Sequence, residues 1–139
     1  MLILRAALPQ DESSVFCLAL DLAISYQVER ASFSHAYARV LASADMHLAV
    51  ACELNEIIGY VLGTAHPAFY SNGDVAWVEE IMVREDHRGK GAGKKLMDHF
   101  EAWAASRECR LVSLATRRAA DFYRAIGYVE TASYFRKEL

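Results

Sequence analysis

The feature that most constrains this chain is a glycine-rich basic turn set between an apolar strand and an amphipathic helix. Val75 to Val83 is apolar, broken only by Glu79 and Glu80, and reads as a strand. The run RGKGAGKK follows at 88–95, and from Gly93 the period becomes helical, with Leu96, Met97, Phe100, Trp103 and Ala104 on one stripe. Arg110 to Thr116 is then another strand. A strand, a helix and a strand in succession imply a parallel pair of strands. Gly89, Gly91 and Gly93 let the backbone approach a ligand without interference from a β-carbon. The first turn of the helix presents unpaired N–H groups and the positive end of its dipole, while Arg88, Lys90, Lys94 and Lys95 add charge. The segment therefore reads as a pyrophosphate site. It is not a Walker loop, because Arg88 stands where the first glycine belongs and Lys95 follows Lys94 in place of Ser or Thr. It is not a dinucleotide fingerprint either, since the glycines run G-x-G-x-G and no β-α-β unit opens the chain.

The remaining elements arrange themselves around this unit. Residues 2–6 predict an opening strand stopped by Pro9, residues 11–25 a helix, and Ser32 to Leu41 a second helix capped by Ser32. His47 to Glu53 and Ile57 to His66 predict an antiparallel hairpin about an Asn55-Glu56 turn. Pro67 and Asn72-Gly73 punctuate a loop at 66–74. Ala119 to Ile126 predicts a helix closed by Gly127, and Tyr128 to Lys137 a final strand. The expected fold is an α/β mixed sheet in the order β-α-α-β-β-β-α-β-α-β, in one domain over residues 1–139.

Composition removes several classes of function. The chain is 54% hydrophobic and 24% charged, as a packed domain requires. No apolar run reaches the ~20 residues needed to cross a bilayer, and the N-terminus lacks a secretory signal, so the expected compartment is the cytoplasm, with no membrane partner. A net charge of −3 argues against nucleic acid, whose phosphates call for a basic surface. Cys17, Cys52 and Cys109 read as small buried hydrophobes. His35, His47, His66, His87 and His99 lack metal-ligand spacing, so no metal is expected. Trp77 and Trp103 read as core.

The spacing R-x-x-G-x-G at Arg88, Gly91 and Gly93 resembles the acetyl-CoA loop of the GNAT superfamily of N-acetyltransferases. IMV at 81–83 sits five residues before Arg88, as in that family, and ATRRAADFYRAIGY at 115–128 resembles its A-x-x-x-Y-…-G-[FY] signature. The resemblance spans nearly the whole chain. It implies that the strand before the loop splays from its parallel neighbour, and that pantetheine lies in the gap. Main-chain groups of Ile81, Met82 and Val83 would bond pantetheine and the thioester carbonyl, with the pyrophosphate held by Arg88, Gly89, Lys90, Gly91, Ala92, Gly93 and Lys94. Tyr123 would stand near the CoA sulfur. Thr116 occupies a position where many members carry Asn, a departure that still leaves one hydrogen-bonding group. Acetyl-CoA is then the co-substrate and an amine the acceptor, and a homodimer is expected because exposed strand edges in this fold often pair.

Chemistry requires a base for the ammonium, and Glu79 and Glu80 interrupt the strand beside the expected thioester. Adjacent strand residues face opposite sides unless a bulge intervenes, so only one is expected to reach the acceptor. Glu79 is favoured, since some amine-acetylating members place an acidic residue there; the alternative is that both are solvated edge residues. Tyr123 is either the group that meets the leaving sulfur or a helix tyrosine packed beside Phe122. Tyr26, Phe69 and Tyr70, on the two connections at 26–30 and 66–74, are candidates for contact with the acceptor. A non-catalytic acyl-CoA-binding module would make no use of Glu79, Glu80 or Tyr123, and an enzyme using another acyl donor would share the same pattern.

Overall fold

A computed structural model describes residues 1–23 and 25–139. Strands β1 (Leu2–Ala6), β2 (Met46–Glu53), β3 (Glu56–His66), β4 (Val75–Val83) and β5 (Leu111–Leu114) form one sheet in the order β1-β2-β3-β4-β5. Pairing is antiparallel through β4, and β4 and β5 are parallel. Helices α1 (Glu12–Leu22) and α2 (Arg30–Ala42) cover one face. On the other lie α3 (Ala92–Ser106) and the short α4 (Ala120–Ala125). The apolar stripe of α3 is its buried face, with Leu96, Met97 and Phe100 fully enclosed against Ala49, Val61 and Ala76 of the sheet. The opposite layer packs Val15, Leu18 and Tyr37 on Leu48, Val50 and Tyr60. Phe16 against Phe33 (5.2 Å between centroids) and Ser34 Oγ donating to Glu12 Oε2 at 2.5 Å join α1 to α2.

The mixed sheet and its element order stand as expected through α4, but the last strand does not form. Residues after Gly127 pair with no strand, and 129–139 are exposed throughout. Alternate positions mix Val129 and Phe135 with Thr131 and Ser133, and Ala132 and Tyr134 with Glu130 and Arg136, so neither face offers a continuous apolar row to bury. The tail is held instead by Tyr134 stacked on Trp77 (6.2 Å) and by the Tyr26 hydroxyl donating to Glu138. Smaller differences occur at the helices. Pro9–Asp11 forms a tight turn ahead of α1, and Ile24, within the helix expected at 11–25, lies outside the described residues. Ser32 sits inside the first turn of α2, and the cap position belongs to Glu29. Cys17 is exposed, and Cys52 and Cys109 are half-buried, because Cys17 falls off the inward stripe of α1 formed by Val15, Leu18 and Ala19. No helix among the described residues is long and apolar enough to cross a membrane.

Candidate active site

Two departures from regular pairing in β4 create the site. The first is on the β5 side. The two strands pair only from Val75–Leu111 to Val78–Leu114, so β4 continues through Glu79–Val83 with no neighbour on that edge. A strand edge left open inside the domain presents unclaimed main-chain donors and acceptors. Ile81, Met82 and Val83 all lie on this stretch; alternation turns the main-chain groups of Met82 toward β3 and those of Ile81 and Val83 toward the open edge.

The second departure is on the β3 side. Gly63 pairs with Val78 and Leu62 with Glu80, so Glu79 is the extra residue of a β-bulge. The bulge resets which residues face which layer. Ala76 and Val78 face α3; unbroken alternation would send Glu80 and Met82 the same way. Past the bulge it is Ile81 and Val83 that pack on the α3 side, while Met82 joins Tyr60 in the α1–α2 layer. Glu80 turns with Met82. Its carboxylate Oε1 accepts a hydrogen bond from the Tyr60 hydroxyl at 2.6 Å. Glu79 remains exposed, holding the Trp77 indole N–H at 3.0 Å. The carboxylate brought indoors is therefore Glu80, and Glu79, favoured from the sequence, stays on the surface. Gly63 is the sequence signal for this geometry, since an isolated glycine within a strand often marks a bulge.

Glu80 and Tyr60 line a cavity of about 290 Å³ between the sheet and the α1–α2 pair, together with apolar side chains such as Val15, Leu22, Phe33 and Leu62. Tyr60 is almost fully buried, and that burial, reinforced by the adjacent Glu80, pushes its phenol pKa far above the ordinary value of about 10. It stays protonated and fixes the Glu80 carboxylate.

At the end of β4 lies the glycine-rich turn. Gly89 (φ 78°) and Gly91 (φ 87°) adopt left-handed conformations that a β-carbon makes costly, and Gly91 is the residue from which α3 starts. The first ladder bond of α3 runs from Lys95 N–H to the Gly91 carbonyl at 3.1 Å, which leaves the amides of Ala92, Gly93 and Lys94 as the open donors of the first turn. Arg88 folds back, its Nε donating to the Val83 carbonyl at 2.8 Å, and pins the turn to the end of β4. The charge of Lys94 is engaged by Asp98 at 2.9 Å, while Lys90 and Lys95 are exposed. Two open glycines, free helix amides and basic side chains fit a pyrophosphate, and the open β4 edge beside them fits the amide-bearing arm of acetyl-CoA.

Tyr123 is buried in α4, edge-on to Phe122 (5.0 Å) and Tyr128 (5.8 Å), and Phe122 in turn lies against Gly93 in the first turn of α3. Burial raises the Tyr123 pKa. Among the described residues its hydroxyl has no hydrogen-bond partner and is not sealed from solvent. Thr116 is occupied locally, its Oγ1 accepting the Ala119 N–H at 3.1 Å where α4 begins. Phe69 and Tyr70 are exposed and do not line the cavity, and Tyr26 is bound to the C-terminal tail.

The model of the acetyltransferase (GNAT) family matches residues 16–128. A transcriptional regulator from Bacillus halodurans C-125 superposes with a TM-score of 0.92 at 23% identity, covering 100% of both chains. Glucosamine-6-phosphate N-acetyltransferase from Arabidopsis thaliana gives 0.87 at 21%, covering 99% of this chain and 98% of that one. The aminoglycoside N-acetyltransferase AAC(6')-Iy in complex with CoA gives 0.88 at 18%, covering 100% and 96%. Among curated proteins, no sequence matches the chain. At these identities the structural likeness speaks for the fold, while the match to the family model runs from α1 past α4 and takes in β4, the glycine-rich turn and Tyr123. The chain belongs to the GNAT family of acetyltransferases.

Proposed function

We propose that the chain is an acetyl-CoA-dependent N-acetyltransferase whose acceptor is a primary amine and whose base is Glu80. The observation that carries this reading is the β4 segment Glu79–Val83. It is free of β5 on one edge, adjoins the glycine-rich turn at its end, and turns a carboxylate into a cavity on its far face. Acetyl-CoA supplies the activated acyl group.

An alkylammonium with a pKa near 10.4 must lose a proton before it can attack, at a cost of about 4.6 kcal/mol at pH 7 (~3.4 units at 1.36 kcal/mol each). Glu80, oriented by Tyr60, accepts that proton at Oε1 or Oε2. A main-chain N–H of Ile81 or Val83, which face the open edge, donates to the carbonyl oxygen as charge grows there. The N–C bond forms as the C–S bond breaks. Of the two protons that the ammonium sheds, one leaves through Glu80 to solvent and the other ends on the CoA sulfur. Tyr123 lies on the α3 side in the same packed cluster as Ile81 and Val83, and its free hydroxyl donates to that sulfur. A thiol pKa near 8.5 lies below that of a phenol near 10, so full transfer from tyrosine runs uphill by roughly 2 kcal/mol. Burial of Tyr123 widens this gap, so its contribution is a hydrogen bond.

The test is to incubate the purified protein with acetyl-CoA and a set of primary amines, following thiol release and the mass of the amine product. Thiol release matched by acetylated amine, and lost in Glu80→Gln, is the expected result. Tight binding of acetyl-CoA with no amine product from any acceptor would instead describe a non-catalytic acyl-CoA-binding module.

A further inference from the structure

The cavity at Glu80 is selective in a way that the catalytic reading alone does not require. Its walls are the inward faces of α1 and α2 and the facing surface of the sheet, with Val15, Leu22, Phe33, Tyr37, Val40 and Leu62 among them. Two hydroxyls reach this wall, and both are already spent: Tyr37 donates to the Leu8 carbonyl at 2.6 Å, and Tyr60 donates to Glu80. The described lining includes no Lys, Arg or His. One polar side-chain function is left to meet a ligand, the Glu80 carboxylate. A volume of about 290 Å³ lies just below the ~300–1,000 Å³ range of small-molecule sites, so it suits a small ligand. The walls are held before any ligand arrives, since Phe16 packs on Phe33 and the Glu12 carboxylate binds both Ser34 and Arg30.

Resting on the acetyltransferase reading, we infer that the acceptor is a small primary amine with an apolar or aromatic body, its ammonium at Glu80 and its body in the α1–α2 cavity. A phosphate, a second ammonium or a ring of hydroxyls would enter with no partner, and an unpartnered polar group in an apolar site is costly. The apolar body is what the cavity rewards, at about fourfold in affinity per methylene buried. Phe33 and Tyr37, packed on each other with centroids 5.7 Å apart, give the cavity an aromatic wall.

The inference is tested with the whole protein and acetyl-CoA, measuring kcat/KM by thiol release for phenethylamine, a series of straight-chain alkylamines, spermidine and glucosamine 6-phosphate. Phenethylamine should exceed spermidine and glucosamine 6-phosphate by at least about 100-fold, and the alkylamines should climb about fourfold per added methylene until the cavity is full. Ala19→Phe, which fills the floor from α1, and Ala36→Trp, which obstructs the rim from exposed α2 surface, should each lower phenethylamine kcat/KM at least about tenfold. Their affinity for acetyl-CoA by calorimetry should stay within about twofold, and Ala36→Trp keeps the test usable if Ala19→Phe does not fold. A preference for either polar amine, or filled variants that still accept phenethylamine normally, overturns the inference and leaves the acetyltransferase reading intact. Turnover of a polar amine with no apolar amine turned over does the same, whereas acetyl-CoA binding with no amine turned over at all would remove both. Failure to bind acetyl-CoA at all would remove both.

Discussion

The bulge at Glu79 makes a prediction that separates two neighbouring carboxylates. Replacing Glu80 by Gln keeps the shape of the side chain and its bond to the Tyr60 hydroxyl but removes the proton acceptor. A positioned general base contributes about 10²- to 10⁴-fold, and the free-amine fraction at pH 7 is about 10^-3.4, so Glu80→Gln should lower kcat/KM at pH 7 by about 10²- to 10³-fold. The loss should shrink about tenfold per pH unit above neutrality, as the amine sheds its own proton and no longer needs the base. Glu79→Gln should stay within about twofold at every pH, because that carboxylate is exposed and bonded to Trp77. Tyr60→Phe should fall between, at about 3- to 10-fold, through loss of the bond that orients Glu80. The assay is thiol release across pH 6.5 to about 10, with each variant's affinity for acetyl-CoA as a control. A large, pH-recoverable loss in Glu79→Gln with Glu80→Gln near wild type would refute the face assignment. Equal losses in both would refute the role given to the bulge.

Tyr123→Phe should lower kcat about 3- to 10-fold, the worth of one hydrogen bond, with acetyl-CoA affinity nearly unchanged by calorimetry. Gly63→Ala should lose about 2 kcal/mol or more in urea unfolding, because its β-carbon would lie 2.3 Å from two carbons of the Phe100 ring and 2.6 Å from the Trp77 carbonyl oxygen. The His47 and His99 rings stack between β2 and α3 with their Nε2 atoms 3.1 Å apart, and Trp103 stacks on His47 at 5.0 Å. One Nε2 must donate and the other accept, so the two rings cannot both be cationic in this geometry. Burial, and then the neighbouring His99, hold the His47 pKa down to about 4. The unfolded chain, with histidine near 6.5, takes up its proton first. Stability from this pair is therefore complete above about pH 6.5 and drains as pH falls toward 4, by about 1–2 kcal/mol once solvent screening of these half-buried rings is allowed for. Urea midpoints from pH 4 to 7 should fall less steeply in His47→Phe, and parallel curves would show that the pair is silent.

The arrangement of elements was legible because period-2 and period-3.6 patterns survive in the sequence wherever one face is buried. The apolar stripe Leu96, Met97, Phe100 and Ala104 is the buried face of α3, and β4 runs from Val75 to Val83 as its apolar run implies. The glycine-rich turn was legible for a different reason: Gly89 and Gly91 take the left-handed backbone that glycine adopts freely. The carboxylate facing the cavity was not, because alternation counts residues and the bulge adds one. Gly63 was the available clue, and its reason lies in Phe100, 37 positions on, which fills the space above it. The cavity depends on how α1 and α2 lean on the sheet, and nothing in either helix's own pattern records that gap. The last strand fails because, among the described residues, nothing covers either of its faces. Residues 128–137 alternate without a buried face, and alternation stabilises a strand only when one side is covered.

The central claim is that the open edge of β4 and the first turn of α3 together hold acetyl-CoA. Calorimetric titration of the purified protein with acetyl-CoA, free CoA and ATP tests it most directly. Saturable binding in the micromolar range is expected for both CoA species, one per chain, with silence from ATP, which shares phosphates with CoA but lacks the amide-bearing arm proposed to lie along the open edge of β4. Absence of binding by either CoA species would contradict it, and equal binding of ATP would show that the turn at 88–95 holds phosphate without the help of the open strand.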